Sequence, residues 1–183
     1  AYKVKPIPFL AVSYGDLLFL DARGLGFKVI DSNGFRAGPL IGFEPGRKEG
    51  DDPHLAGLGD IPSSLTAGAF ASYRFGAFKV GGSVKQAMTH SSNGLVGVVS
   101  LDYVHSIAAG KLSVLAGPDI EFADARYEET RFGVTSAQSA SSGLPVHTAG
   151  GGIKDIGLHM SLTWRASEHV VVRGFASVSE LTG

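Results

Sequence analysis

The amino-acid sequence predicts an all-β protein, an antiparallel transmembrane β-barrel with ten strands in this chain. Apolar and polar residues alternate along segments such as 112–122 and 154–164, and a period of two is that of a strand with one apolar face. No apolar run approaches the roughly 18 residues of a membrane-spanning helix, although the mean hydropathy is +0.15. Because only 18% of the residues are charged, lipid rather than water is expected outside the strands.

Ten strand candidates follow one another along the chain. They are residues 2–14, 17–23, 27–30, 35–43, 65–75, 78–90, 95–107, 111–122, 152–164 and 170–181. Asp31-Ser32-Asn33-Gly34 is a strong turn signal, because Asn-Gly favours a tight hairpin. Gly24-Leu25-Gly26 is predicted as a turn or kink before the short strand 27–30. Pro6 and Pro8 remove two ladder donors from one side of the first strand, which predicts a seam or bulge there.

The connections alternate between short and long. Residues 31–34, 76–77, 108–110 and 166–169 are short, whereas 44–62 and 123–151 are long and 91–94 falls among them. Outer-membrane barrels pair short periplasmic turns with longer external loops in this way. A β-sandwich or lipocalin-like barrel is the structural alternative, but its surface would be richer in Lys and Glu. One helical turn is predicted near residues 127–131.

Composition excludes several classes of protein and indicates a single domain over residues 1–183. The absence of Cys rules out disulfides and thiolate metal sites, and a net charge of −1 gives no reason to expect nucleic-acid binding. The chain begins at Ala1 rather than Met, so it is expected to be a processed or trimmed product.

No constellation of residues predicts catalysis, a cofactor or a metal. The six His form no close metal-binding pair, and no G-x-S-x-G motif is present. His159 shares the polar strand face with Asp155, Ser161 and Arg165, where a hydrogen-bonding role is favoured over proton transfer. The acidic stretch 49–52 lacks the D-x-[DN]-x-[DN]-G pattern of a calcium loop and is predicted to be a solvated external loop. The protein is therefore predicted not to be an enzyme.

Charges of both signs fall on the predicted inner face. They are Lys3, Lys5, Asp21, Arg23, Lys28, Arg36, Arg74, Lys79, Lys85, Asp102, Asp119, Glu121, Asp155, Arg165 and Arg173. A paired network that fixes the barrel is favoured over a selective channel, since no ring of one sign is evident. On the apolar face, Tyr2, Tyr14, Tyr73 and Trp164 fall at strand ends, where aromatic girdles sit.

The order and spacing of several short motifs resemble the MltA-interacting protein family, also called the MipA/OmpV family, of Gram-negative outer membranes. The motifs are Pro6-Ile7-Pro8-Phe9, Tyr14-Gly15-Asp16, Arg23-Gly24-Leu25-Gly26, Gly46-Arg47, the acidic residues 49–52, Gly57-Leu58-Gly59-Asp60, Ser142-Gly143-Leu144-Pro145 and Gly152-Ile153-Lys154-Asp155-Ile156-Gly157-Leu158. The resemblance covers essentially all of the chain. Family members carry a further strand at each end, the last ending in an aromatic residue, so twelve strands are expected in the complete protein, with an open seam in this chain.

The resemblance implies an envelope protein of the cell outer membrane that contacts lipid. It further implies a scaffold that links a murein hydrolase, a lytic transglycosylase, to a murein synthase of the penicillin-binding type. A small-solute porin-like channel or an adhesin is the alternative function. The family has no catalytic motif to carry over, and the partner-binding residues are not predicted.

Overall fold

The computed structural model describes residues 12–14, 17–21, 24–90, 93–107, 111–165 and 171–182. The described strands are β1 (Val12–Tyr14), β2 (Leu18–Asp21), β3 (Gly24–Phe27), β4 (Ile30–Ser32), β5 (Phe35–Glu44), β6 (Ser64–Phe75), β7 (Phe78–Ala87), β8 (Leu95–Ile107), β9 (Leu112–Ala123), β10 (Gly152–Arg165) and β11 (Val171–Leu181). Most of the predicted strands agree with these bounds to within one residue. Residues 1–11, with Lys3, Lys5, Pro6 and Pro8, lie outside the described residues.

All the strands form one antiparallel sheet in the order β1-β2-β3-β5-β6-β7-β8-β9-β10-β11, with β4 paired to β5. Because β3 and β4 both pair with β5, they share one position, and the sheet is ten strands wide. It curls into a half-barrel. In the described part of the chain, β1 pairs with β2 and β11 with β10, so the sheet is open between them. The all-β antiparallel prediction is confirmed; the two further strands stay a prediction.

The predictions for residues 24–30 were wrong in detail. Residues 24–26, predicted as a turn or kink, begin strand β3, and the predicted strand 27–30 contains a break between β3 and β4. At this break the amide of Lys28 donates to Leu17 at 2.8 Å, whereas the amide of Val29 donates to Ala37 at 2.9 Å. Lys28 therefore extends the pairing of β3 with β2, and Val29 pairs with β5, so both neighbouring strands remain paired across the break.

The two faces of the sheet have the predicted chemistry. On β5, Ile41 and Phe43 are 58% and 60% exposed on the outer face, while Leu40 between them is 1% exposed on the inner face. On β6, Leu65 is exposed and its neighbour Thr66 is buried. The alternation of the sequence therefore places most large apolar side chains on the outside of the curve and mostly polar or small ones inside it, where Leu40 and Phe70 are buried apolar exceptions.

The connections separate the half-barrel into two ends. The turn between β4 and β5 contains Asn33 and Gly34 at φ 51° and 82°, the left-handed pair of a type I′ hairpin that the Asn-Gly signal predicts. Gly76-Ala77 joins β6 to β7 at the same end, which we call the short-turn end. The connections 45–63 and 124–151, and the described residues 88–90 and 93–94 between β7 and β8, lie at the opposite, long-loop end.

The longest connection contains two helices, α1 (Ala125–Phe132) and α2 (Ser136–Ser142). Asp124 caps α1 by accepting from the amide of Tyr127, and Thr135 with Gln138 forms a capping box at the start of α2. The predicted helical turn near 127–131 thus lies within α1, whereas α2 was missed. Within the described residues no helix is long and apolar enough to cross a membrane.

Candidate functional site

The inner face carries a polar network at the middle of the sheet. His159 on β10 contacts two carboxylates: its Nε2 lies 2.7 Å from Asp102 Oδ1, and its Nδ1 lies 2.7 Å from Asp119 Oδ1. Lys79 Nζ and Ser100 Oγ both donate to Asp102 Oδ2 at 3.4 Å. Four neighbouring strands, β7 to β10, are thereby joined across their inner surface. Lys79, Asp102, Asp119 and His159 were all predicted to lie on the inner or polar face.

Both ring nitrogens of His159 are occupied, which limits its chemistry. A neutral imidazole has one N–H, so both contacts are hydrogen bonds only when the ring or one carboxyl group carries an additional proton. The Asp119 carboxylate fits because Gly157 lies directly opposite it on β10. A Cβ at Gly157 would come within 2.9 Å of Asp119 Oδ2. His159 is therefore held as a cross-link and has no free nitrogen to activate a serine.

A bulge in β10 moves Lys154 to the inner face. In the alternation along 154–164, Lys154 falls in the same register as the apolar Ile156 and Leu158, which predicts an outward side chain, and this prediction was wrong. The register with β9 shifts between Ile153 and Asp155, so Lys154 is an extra residue in the strand. Its Nζ lies 3.0 Å from Glu121 Oε1 and 3.0 Å from Asp155 Oδ2. The two carboxylates that periodicity placed inside are therefore neutralised by a cation that periodicity missed.

Helix α1 crosses the concave side at the long-loop end. The guanidinium of Arg131 lies 4.8 Å from the centre of the Tyr127 ring, and the ammonium of Lys154 lies 5.8 Å from it. Beyond the ring, Arg131 Nη2 pairs with Glu44 Oε1 at 2.7 Å. Glu44 ends β5 and Lys154 lies on β10, and four strands separate these two in the sheet. The helix thus connects opposite sides of the half-barrel, and we call α1 with these contacts the strap.

The start of α1 fits closely against the sheet. Asp124 Oδ1 accepts from the amides of Tyr127 at 2.9 Å and of Leu95 at 3.0 Å, which attaches the helix to the first residue of β8. Gly94 has φ 65°, and a Cβ there would overlap Asp124 Oδ1 and the amide of Tyr127. A side chain at Gly94 would therefore displace the helix as well as strain the turn.

Burial under this strap changes the acid–base properties of the helix. Burial raises the pKa of Tyr127 to about 12. Burial also raises the pKa of the Glu128 carboxyl, whose Oε1 has no hydrogen-bond partner within the described part of the chain. In the neighbouring loop, burial and then the like charge of Arg131 lower the pKa of Arg47. Tyr127 and Glu128 are therefore shielded from water under the helix at the long-loop end.

In the acidic loop 45–63, several carboxylates accept hydrogen bonds from backbone amides of the same loop. Asp51 accepts from the amide of Lys48 at 2.9 Å, Asp60 from Glu49 at 2.8 Å, and Glu49 from Gly59 at 2.9 Å. A cleft of about 320 Å³ lies between this loop and the two helices, lined in part by Asp60. No group of three or more potential metal ligands occurs in the described ranges.

The remaining His are separate from one another. His54 contacts Asp52 at 2.8 Å, His90 contacts the carbonyl of Ser63 at 2.8 Å, and His105 stacks on Tyr103 on the outer face. The backbone of His147 pairs with that of Val134. His169 lies outside the described residues, as does Arg23, and nothing is described of the Arg173 side chain.

Aromatic side chains cluster on the outer face near the short-turn end. Tyr73, Phe75, Phe78 and Tyr103 follow one another with ring centres 5.5–6.0 Å apart. Trp164, 51% exposed, ends the same face of β10 at that end. Tyr73 and Trp164 were predicted to be girdle residues, whereas Tyr103 was missed. Tyr2 lies outside the described residues, and the Tyr14 side chain is not described.

A curved antiparallel sheet with an apolar outside and a polar, cross-linked inside defines a protein of the β-barrel class. The chain belongs to the MltA-interacting protein family, because the family model described as MltA-interacting protein MipA matches residues 1–183. The family resemblance of the sequence motifs is thereby confirmed. Comparisons with curated proteins and with solved structures found no match.

Proposed function

We propose that the protein is a non-enzymatic scaffold of the outer membrane, which brings together a murein hydrolase of the lytic transglycosylase type and a penicillin-binding murein synthase. Family membership supports the first of these partners, since the family description names an interaction with MltA. The apolar outer face supports contact with lipid, and the aromatic cluster near the short turns fits the boundary between lipid and water.

The strap of α1 across the concave side is the observation that carries a scaffold rather than a channel. A channel needs a continuous polar path, whereas Tyr127 is 4% exposed and is enclosed by Arg131 and Lys154 at the long-loop end. The cross-linked network of His159 makes the middle of the inner face rigid. The absence of a free nitrogen on His159 supports a function through contacts rather than through turnover.

Two measurements on the purified full chain test this proposal. Immobilised protein should retain a purified lytic transglycosylase, and the retained complex should then retain a purified penicillin-binding synthase. In planar bilayers the same protein should give no steady conductance steps. Failure to retain either enzyme, together with reproducible conductance, would replace the scaffold by the small-solute pore.

A further inference from the structure

The charged residues of the inner face differ in their position between the short-turn end and the long-loop end of the half-barrel. Arg36, Arg74, Lys111 and Arg165 all lie at the short-turn end; we call them the basic rim. Arg36 and Arg74 occupy the inner-face positions of β5 and β6 next to the Asn33-Gly34 and Gly76-Ala77 turns. Arg165 ends β10, and its amide bonds to the carbonyl of Lys111 just before β9. Both flanks of the half-barrel therefore contribute cations to this end.

These cations are exposed and largely unneutralised. Arg36 pairs with Asp31 at 3.1 Å, and Arg74 Nε donates to the carbonyl of Gly76 at 3.4 Å. Among the described residues, no carboxylate lies within ion-pair distance of Arg74, Lys111 or Arg165, and the three side chains are exposed. By contrast, Arg131 and Lys154 near the long-loop end are paired with Glu44, Glu121 and Asp155. The basic rim therefore gives the short-turn end an excess of exposed positive charge.

The surroundings of the rim indicate the kind of ligand. Ser72, Ser106 and Ser113 are its inner-face neighbours, and the last two contact each other at 3.2 Å. A protein–protein interface has a buried apolar core, which the basic rim and its serine neighbours lack. Lipid headgroups are also a poor fit, because Arg36, Arg74 and Arg165 occupy inner-face strand positions while the aromatic cluster that fits a lipid boundary lies on the outer face. A hydrophilic polymer with repeated anionic groups fits both features.

We propose that the basic rim binds murein directly, through the carboxylates of its peptide stems, with the rim serines facing its sugars and amides. This inference rests on the proposed function, because short turns face the periplasm, where murein lies, only in an outer-membrane barrel. Arginine pairs with carboxylates through its planar fork, and several such pairs add up along a polymer. The scaffold would then hold the murein enzymes beside their substrate.

Sedimentation with purified murein sacculi tests the proposal. The full chain in detergent should sediment with sacculi and should be released as NaCl is raised, because exposed charge pairs are screened. The double change Arg74→Gln with Arg165→Gln should weaken binding by about two- to thirtyfold, the range expected for losing two exposed ion pairs. The control is Lys48→Gln with Arg126→Gln, which removes the same charge at the long-loop end and should leave binding unchanged.

A second arm needs no variant. Sacculi whose carboxylates have been converted to amides should bind the unmodified protein more weakly, by a factor similar to that expected for the double change. Equal retention of native and amidated sacculi, no sedimentation at low salt, or equal weakening by the control pair would each overturn the proposal. If the double change instead abolished retention of the transglycosylase and spared sacculi, the rim would be assigned to an acidic protein face. Enzyme retention without sacculus binding would overturn this inference alone; sacculus binding without enzyme retention would overturn the scaffold alone.

Discussion

Replacement of His159 by Ala tests the inner network most directly. The change removes the group that separates Asp102 and Asp119, whose side chains are 2% and 21% exposed. Leaving a buried charge without its partner costs about 3–5 kcal/mol, and an exposed one at most about 1 kcal/mol. Because Lys79 and Ser100 still contact Asp102 at 3.4 Å, the lower part of the first range applies. We expect His159→Ala to reduce the free energy of unfolding by about 3 kcal/mol.

Urea unfolding in lipid vesicles measures this loss. Trp164 is the single Trp of the chain and is 51% exposed on the outer face, which we propose faces lipid, so its fluorescence should report transfer from lipid to water. His105→Ala is the matched control, because it removes an exposed imidazole from the same half-barrel and should cost below about 1 kcal/mol.

A double change separates the network from simple packing. Adding Asp102→Asn to His159→Ala removes the buried charge that His159→Ala leaves behind, so the double variant should be more stable than the single one. If the cost were only the cavity left by the imidazole, Asp102→Asn would restore nothing. A double variant no more stable than His159→Ala would therefore refute the reasoning.

Two further predictions concern the outer face and helix α1 at the long-loop end. Ala69→Arg, on the outer face of β6, should destabilise the protein in vesicles by about 2–4 kcal/mol, whereas Ser83→Arg, on the inner face beside it, should cost below about 1 kcal/mol in the same urea titration. Because the pKa of Glu128 is raised in the folded protein, its contribution to stability is full at low pH and is lost as pH rises through the raised pKa. Glu128→Gln should therefore slow proteolysis of α1 at pH above neutrality and flatten its pH dependence, whereas Glu180→Gln, at an exposed site, should change neither.

Alternation predicts the strands and their faces because it follows from the pleat of the backbone itself. The segment 95–107 has its predicted ends, and Asp102, Asp119 and His159 lie on one face as their spacing requires. Lys154 shows the limit of this reasoning. One extra residue in the strand reverses the face, and a bulge has no signal in the alternation until the register with β9 is known.

The strap could be predicted only in its local part. Asp124 before α1, and Thr135 with Gln138 at α2, are capping signals that are readable in the sequence. The pairing of Arg131 with Glu44 joins residues 87 positions apart and depends on how far the sheet curves. No local pattern specifies that curvature, so the contacts of α1 with β5 and β10 at the long-loop end could not have been derived from spacing.

The position of an inner-face charge between the short-turn end and the long-loop end determines whether it must be paired. Arg36 and Asp102 share the inner face by parity, but one lies at the short turns and the other is 1% exposed in the middle of the network. A buried cation is constrained to pair, as Lys154 does, because an unpaired one would be too costly. A cation at the rim remains solvated and is under no such constraint, so Arg74 and Arg165 are available to a ligand. Cations of the inner face therefore stabilise the fold where they are buried and paired, and they can bind a ligand where they are exposed at the short-turn end.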